Sequence, residues 1–286
     1  MEIYFAGGSS EKCEQYLKDN NCKRLFSQFS DRKAVSKWIE RGGEHIFLDS
    51  GAFSAYNSGK IIKIDDLIEY ANTVIDKCDW VASLDVIGDG QKSYENFEYI
   101  RSKIAAPDKL VPTFHINVPI EYLDKYLDYE DEFGKVKCLA IGGIAKKGPQ
   151  QRKLFLDKIL PYIRQKRPDI KIHAFGVTKA DQLKDYDFDT ADSTTWLKYS
   201  IYGNILLPNT AKTYHIGNGN TDIVQVSQEF LNEAFQNNLN ELNITLDDLI
   251  KNDEARRLFN IKSTIQFINN RNLEFKQNKI TKKSLI

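Results

Sequence analysis

Short apolar segments alternate with amphipathic segments over the first 192 residues, and this alternation constrains the fold more than any other feature. Apolar segments of this length, rich in Val, Ile and Phe, are typical of buried strands. The amphipathic segments have a helical period: in residues 64–77, the apolar side chains between Leu67 and Ile75 form one stripe. Strands that alternate with helices imply parallel pairing and right-handed crossovers.

The alternation predicts eight strands, at residues 3–6, 24–27, 45–49, 80–85, 110–114, 138–141, 171–175 and 188–191. It predicts helices at residues 11–19, 32–41, 64–77, 91–103, 120–126, 150–165 and 179–186. Eight such repeats favour an α/β fold, a closed (β/α)8 barrel of the TIM type. An open doubly wound sheet is the alternative if one strand is miscounted.

The character of the chain changes after the barrel repeats. Residues 1–215 are predicted to form the barrel, and residues 216–286, rich in Asn and Lys, a helical C-terminal extension packed on it. Helical patterns in the extension cover residues 222–238, 245–252 and 253–270. The tail from Arg271 is basic, which suits either a solvated helix or an electrostatic contact with nucleic acid.

Composition excludes several classes of protein. Forty basic and forty acidic residues cancel, so a nucleic-acid contact requires a local basic patch. The four cysteines form no CxxC pair and have no His at zinc-finger spacing, so neither a zinc site nor any other metal or cofactor is predicted. No apolar run approaches the roughly 20 residues of a membrane span. The first residues lack the basic lead and apolar core of a signal peptide.

Polar residues and glycines follow the predicted strands at one end. In chain order they are Asp49, Asp85, His115, Gly142-Gly143, Gly176 and Asp192. Each alone is explained as a turn or cap residue. In a barrel, however, all of them lie on the C-terminal face, where active sites of this fold are built. The combination therefore favours a catalytic site.

Two carboxylates on either side of a substrate suit cleavage of a glycosidic bond. One attacks or stabilises the sugar carbon, and the other protonates the leaving group. Glycines let a flat base approach the backbone closely. Phe53, Tyr56 and Phe114 are candidates to stack on such a base, although aromatic residues after strands are more often core. His115 is equally a partner of the base edge or a structural residue.

Four segments resemble the tRNA-guanine transglycosylase family, and more closely its phage and bacterial relatives that put 7-deazaguanines into DNA. They are residues 49–53 (DSGAF), 83–85 (SLD), 139–145 (LAIGGIA) and 173–177 (HAFGV), all within residues 45–197. The resemblance implies that Asp192 is the nucleophile, that Asp49 is the general acid and base, and that Asp85 binds the base edge. It implies further base-binding roles for Ser50, Phe53, His115, Gly142, Gly143 and Gly176.

The implied reaction is exchange of guanine in nucleic acid for a 7-deazaguanine such as preQ0, through a covalent aspartyl-glycosyl intermediate. A duplex target must be flipped out of its stack. Candidate phosphate contacts, which are equally well explained as solvated side chains, are Lys146, Lys147, Arg152, Lys153 and Lys198.

Three departures from the family pattern favour DNA over tRNA. The Cys-rich zinc site is missing, Asp192 is followed by Ser-Thr-Thr-Trp, and the family's glutamine is replaced around Thr113-Phe114-His115. A tRNA enzyme, a catalytically silent nucleic-acid-binding partner and a small-molecule glycosidase stay open as alternatives. Reduced cysteines favour the cytoplasm, that of the host if the chain is phage-encoded. The oligomeric state is not predicted.

Overall fold

A nearly closed, barrel-like parallel sheet forms the centre of the protein. The computed structural model describes residues 1–144, 147–176, 180–210, 212–217 and 232–283. Nine strands pair in the order β5-β4-β3-β2-β1-β11-β10-β9-β6. Their bounds are β1 (Glu2–Ala6), β2 (Lys23–Ser27), β3 (Ile46–Asp49), β4 (Cys78–Ala82), β5 (Leu110–Val111), β6 (Thr113–His115), β9 (Cys138–Gly142), β10 (Lys171–Ala174) and β11 (Thr190–Ser193).

The two outermost strands of this order, β5 and β6, stand on either side of Pro112. β5 pairs with β4 and β6 pairs with β9, while the amide of Ala140 donates to the Pro112 carbonyl at 2.9 Å. Proline has no amide proton, so it interrupts a strand in a sheet interior. The single fifth strand predicted at residues 110–114 is therefore divided in two, giving nine strands instead of eight.

Helices follow the strands as the sequence pattern predicts. They are α1 (Glu11–Asp19), α2 (Arg32–Glu40), α3 (Ala52–Ser58), α4 (Ile64–Val74), α5 (Gly90–Arg101), α6 (Ile120–Asp128), α7 (Pro149–Lys166), α8 (Ala180–Asp185) and α9 (Thr195–Ile201). Short helices α3 and α9, and a small hairpin of β7 (Glu130–Asp131) and β8 (Gly134–Lys135), are additions to the predicted set.

Two apolar layers lie on the two faces of the sheet. Alternate strand residues face the barrel interior, where Tyr4, Leu25, Phe47, Val111 and Ala140 form one buried cluster. The intervening residues, such as Ile3, Phe26, Leu48, Val81 and Ile141, pack beneath the surrounding helices in a much larger cluster. This alternation is the period of two that a strand with both faces buried requires.

The chain after α9 forms a hairpin of β12 (Asn204–Leu206) and β13 (Thr213–His215), and then helices α10 (Glu233–Leu242), α11 (Leu246–Lys251) and α12 (Asp253–Lys283). Ile205 and Leu207 share an apolar cluster with Phe235 and Phe259 of these helices. The Asn260 side chain of α12 links this helix to the hairpin and to α9. It accepts a hydrogen bond from the Leu206 amide and donates one to the Trp196 carbonyl. The hairpin thus packs with the C-terminal helices, and the boundary at residue 215 stays a prediction.

Two further points concern element bounds. α12 extends well past the predicted end at residue 270, and part of the predicted helix at 222–238 lies outside the described residues. Among the helices that the structure describes, none combines the length and the apolar character needed to cross a bilayer.

Candidate active site

Three carboxylates lie at the C-terminal end of the sheet. Asp49 ends β3, and Asp192 lies within β11 rather than after it, because pairing with β1 continues to Ser193. Asp85 follows β4, which ends at Ala82 and not at Asp85 as predicted. Burial, reinforced by the negative charges of Asp85 and then Asp192, raises the pKa of Asp49 to about 7. The three side chains are therefore close enough to influence one another.

A tight turn after β3 holds Asp49. Its Oδ2 atom accepts a hydrogen bond from the Gly51 amide at 3.1 Å. Gly51 has φ +80°, and a Cβ added there would lie 2.3 Å from the Cβ of Phe29. Glycine is required here both for its backbone conformation and for the close approach of the β2 loop. The DSGAF segment is thus shaped to hold the carboxylate at the start of α3.

Asp192 lies in β11, which is separated from β3 by β2 and β1, and its side chain is almost fully buried. Its Oδ1 atom accepts a hydrogen bond from the Gly176 amide at 2.8 Å, so Gly176 supports the carboxylate directly. The Nε2 atom of His173 lies 3.5 Å from the same oxygen. That is an ion-pair distance, but the contact does not satisfy hydrogen-bond geometry, since Nε2 has no hydrogen-bond partner among the described residues.

His173 lies inside the barrel beneath Asp192. Its Nδ1 atom is 2.8 Å from the hydroxyl of Thr190, and its ring centroid is 4.4 Å from that of Phe47. Burial lowers the pKa of His173 below 6.5, so the imidazole is neutral near pH 7. A neutral ring places no positive charge beside the Asp192 side chain.

Asp85 and His115, at the ends of neighbouring strand positions, form a second polar pair. The Nε2 atom of His115 lies 2.7 Å from Oδ2 of Asp85. The tautomer of the ring decides which group donates, and Nε2 is the donor whenever the carboxylate can only accept. The Ser50 hydroxyl donates a long hydrogen bond of 3.5 Å to the other oxygen of Asp85. Ser50, Asp85 and His115 are therefore brought together, and their predicted role in binding a base stays a prediction.

The glycine pair at the end of β9, Gly142 and Gly143, makes room for the His115 ring. A Cβ added at Gly142 would lie 2.9 Å from Cε1 of His115 and 2.8 Å from Cγ2 of Thr113. Gly143 has φ +75°, and a Cβ there would lie 3.1 Å from Nδ1 of His115. The space above these glycines is therefore already occupied by protein, so their direct contact with a base also stays a prediction.

The remaining predicted residues lie in different surroundings. Phe53 in α3 is 52% exposed, so it lies at the surface beside the carboxylates rather than in the core. Lys198 is exposed in α9, and Lys147 is partly buried. Arg152 is buried in α7, and its Nε atom has no hydrogen-bond partner within the described part of the chain. Lys153 pairs with Asp157 on the surface. Lys146 lies outside the described residues.

Buried polar atoms without partners are a feature that the sequence did not reveal. Among the described residues, the hydroxyls of Ser27 and Thr113 have no hydrogen-bond partner. Both follow lumen-facing apolar residues at strand spacing, Leu25 and Val111, which is the one signal that places them at the barrel mouth. Buried polar groups are normally satisfied, so a polar ligand is the natural partner of such atoms.

The arrangement can perform acid–base chemistry together with nucleophilic attack. Asp49, with a pKa of about 7, holds or releases a proton near neutrality. Asp192, held by the Gly176 amide, supplies a carboxylate of the type that acts as a nucleophile. No group of three or more His, Cys, Asp or Glu side chains that could hold a metal ion occurs among the described residues.

Comparison with known proteins does not identify a family. No family model matches the chain. The chain is 24% identical over 225 residues to "Uncharacterized protein 306" of Sulfolobus islandicus rod-shaped virus 1. The match covers 75% of this chain and 66% of that viral protein.

Proposed function

We propose that the protein is a transglycosylase that exchanges guanine in nucleic acid, DNA in preference to tRNA, for a 7-deazaguanine such as preQ0. The observation that carries the proposal is the unequal pair of carboxylates at one barrel mouth. Asp49 has a pKa raised to about 7, while Asp192 is held by a backbone amide and stands beside a neutral histidine. Two carboxyl groups with divided roles are what cleavage at a sugar carbon requires.

The fold supports the proposal once the two short strands around Pro112 are counted as one interrupted strand. β5 and β6 then occupy a single position between β4 and β9. The sheet becomes an eight-membered (β/α)8 barrel in chain order, with every candidate carboxylate on the face that carries active sites in this fold.

In the first half-reaction, Asp192 attacks C1′ of the target nucleotide. The C1′–N9 bond breaks as the C1′–oxygen bond forms, and the proton of Asp49 passes to the departing guanine. In the second half-reaction, the incoming base gives its proton to Asp49 and attacks C1′, which releases Asp192. Asp85, oriented by His115 at 2.7 Å, accepts hydrogen bonds from donors on the edge of either base.

The first test determines which polymer incorporates the labelled base. Purified protein is incubated with labelled guanine or preQ0 and with either single-stranded DNA, duplex DNA or tRNA. Label in DNA supports the proposal, and label in tRNA alone would replace DNA by tRNA as substrate. Release of free guanine without nucleic acid, from nucleosides alone, would favour a small-molecule glycosidase.

The second test separates the two carboxylates. We expect Asp192→Asn to abolish the covalent protein–nucleic-acid adduct on a denaturing gel, because an amide is a far weaker nucleophile, while binding largely survives. Asp49→Asn should retain slow turnover, since loss of general acid–base help costs roughly 10²–10⁴ in rate. Asp247→Asn, on the exposed surface of α11, is the matched control. An undiminished adduct in Asp192→Asn would reject the assigned nucleophile.

A further inference from the structure

A cavity of about 230 Å³ opens beside Ser50, the residue that follows Asp49. Gln28 and Phe29, which follow β2, form one side, and Ser50, which follows β3, contributes another. Ser50 is also the residue between Asp49 and Gly51 whose hydroxyl donates to Asp85. The cavity, here called the Gln28 cavity, therefore adjoins the candidate active site and opens at the same end of the sheet.

Gln28 gives this cavity an unsatisfied polar wall. The residue is 2% exposed, and neither the nitrogen nor the oxygen of its side-chain amide has a hydrogen-bond partner within the described part of the chain. Its backbone, in contrast, is fully engaged: the amide donates to the Asp49 carbonyl, and the carbonyl accepts from Nε of Arg32. A buried amide of this kind is costly unless a ligand supplies both a donor and an acceptor. The edges of nucleobases present such pairs, and glutamine amides bind them.

The other walls suit a flat ring with a phosphate nearby. Phe29, Ile62 and Leu67 are apolar, and Ile61 at the rim is 91% exposed. The cavity is smaller than the roughly 300–1,000 Å³ of sites for drug-sized ligands, so it fits a single small ring system.

Charge at the rim is mainly positive. Arg32 and Lys63 are exposed cations that line the cavity, against one carboxylate, Asp66. The adjacent segment, residues 51–64, contains Lys60 and Lys63 and no acidic residue, in a chain of zero net charge. Cations beside apolar and aromatic walls are the combination that binds single-stranded nucleic acid.

We propose that the Gln28 cavity binds the base next to the reacting nucleotide in a single-stranded polynucleotide. The inference rests on the proposed function, because it assigns that site a neighbouring subsite for the same strand. Gln28 hydrogen-bonds the edge of the flanking base, Phe29 and Ile61 contact its faces, and Arg32 and Lys63 contact the phosphates beside it. The reaction therefore prefers particular bases beside the target guanine.

The experiment measures coupling between Gln28 and the flanking base. Fluorescent single-stranded DNA and RNA oligonucleotides carry one guanine, with an intact base or an abasic residue on its 5′ or its 3′ side. Dissociation constants are measured by anisotropy for the native protein, Gln28→Met and Ile61→Ala. Gln165→Met, an exposed change near the end of α7, is the control.

For the native protein, we expect an abasic residue on one side to weaken binding roughly 5- to 150-fold, the range of one base contact. Gln28→Met should weaken binding of the intact oligonucleotide similarly, and the two losses should not add. Gln28→Met should also melt no lower than the native protein, because it removes an unsatisfied buried amide. If Gln28→Met melts at a lower temperature than the native protein, the test uses Ile61→Ala, at an exposed position. Its loss of affinity and the loss from the abasic residue should likewise not add.

Equal binding of intact and abasic oligonucleotides, or fully additive losses in both variants, would overturn the proposal. Guanine exchange is assayed in parallel on the same proteins. If the losses from Gln28→Met and from the abasic residue are not additive but no guanine is exchanged, the cavity is a base-binding site and the proposed transglycosylase activity is rejected. Exchange without coupling would reject the cavity alone.

Discussion

At the scale of single residues, the candidate site depends on two aspartates whose surroundings differ. Asp49 lies near two other carboxylates and receives one backbone amide, from Gly51. Asp192 receives the Gly176 amide and has a neutral imidazole beneath it. Like charges in a poorly hydrated site cannot all ionise together, so one of them retains its proton to a higher pH. The structure assigns that proton to Asp49.

The raised pKa of Asp49, about 7, predicts how stability depends on pH. Between about pH 4 and 7 the folded protein binds this proton more tightly than the unfolded chain, so the contribution of Asp49 to stability decreases as pH rises through that window. We expect Asp49→Asn to remove this decrease and to stabilise the protein at pH 8 by at most about 4 kcal/mol. Urea unfolding at pH 5 and pH 8 measures the difference. An equal effect of the substitution at both pH values would contradict the assignment.

Sequence reasoning located these aspartates because each ends or follows a strand, and strand ends share one face of a parallel barrel. It did not identify Gln28 or the environment of His173. Whether a glutamine amide finds partners, or a histidine is surrounded by Tyr4 and Phe47, depends on side chains far away in the chain. Such contacts leave no local pattern in the residues that make them.

At the scale of elements, the α3 segment positions the site most directly. Its first cap, Gly51, has φ +80° and its last, Gly59, has φ +64°. Both glycines are in the left-handed conformation, but only Gly51 is enclosed, since no atom lies within 4 Å of a Cβ added at Gly59. A comparison of substitutions at Gly51 and Gly59 therefore distinguishes the cost of backbone strain from the cost of steric overlap.

We expect Gly59→Ala to destabilise the protein by about 1 kcal/mol, which is the backbone cost alone. Gly51→Ala should cost roughly 2–5 kcal/mol, because overlap with Phe29 adds an overpacking cost. It should also lower activity, since the turn that holds Asp49 must shift. Thermal or urea unfolding of both variants provides the comparison. Equal losses at the two positions would show that the turn absorbs the added methyl group.

Most helices and strands of the barrel were predictable because the sequence shows both the helical period of the amphipathic segments and the short apolar runs of buried strands. α3 was missed since its residues, AFSAYNS, carry no apolar stripe, and tertiary contacts of the DSGAF turn decide its conformation. The division of the fifth strand was missed although Pro112 was visible. A proline within an apolar run predicts an interruption, but not which neighbour each half will pair with.

At the scale of the whole molecule, zero net charge conceals an uneven distribution. Lys63 and Arg32 line the Gln28 cavity, Lys60 lies over the Phe29 ring, and Lys198 is exposed in α9. Salt bridges elsewhere, such as Lys166 with Asp124 and Asp128, cancel charge locally. Local patches, not total charge, determine contact with a polyanion.

We therefore expect affinity for single-stranded nucleic acid to fall steeply with salt. If four phosphates are contacted, raising the salt concentration from 50 to 200 mM should weaken binding roughly 50-fold, because the release of counterions becomes less favourable. Anisotropy titrations at several salt concentrations measure the slope, and Lys60→Gln should make it shallower. An affinity independent of salt would show that phosphates are not bound.

The interruption at Pro112 has a consequence for the barrel as an enclosing wall. The ladder of backbone hydrogen bonds around the barrel is interrupted at one joint, between β5 and β6. There β5 pairs with β4, and β6 pairs with β9. The Asp85–His115 contact spans that joint, because Asp85 follows β4 and His115 ends β6. The barrel itself stays closed at this joint, because Pro112 links β5 to β6 through the covalent chain. A ligand that displaced either Asp85 or His115 would therefore break the side-chain contact across the joint and leave Pro112 as the connection between its two sides.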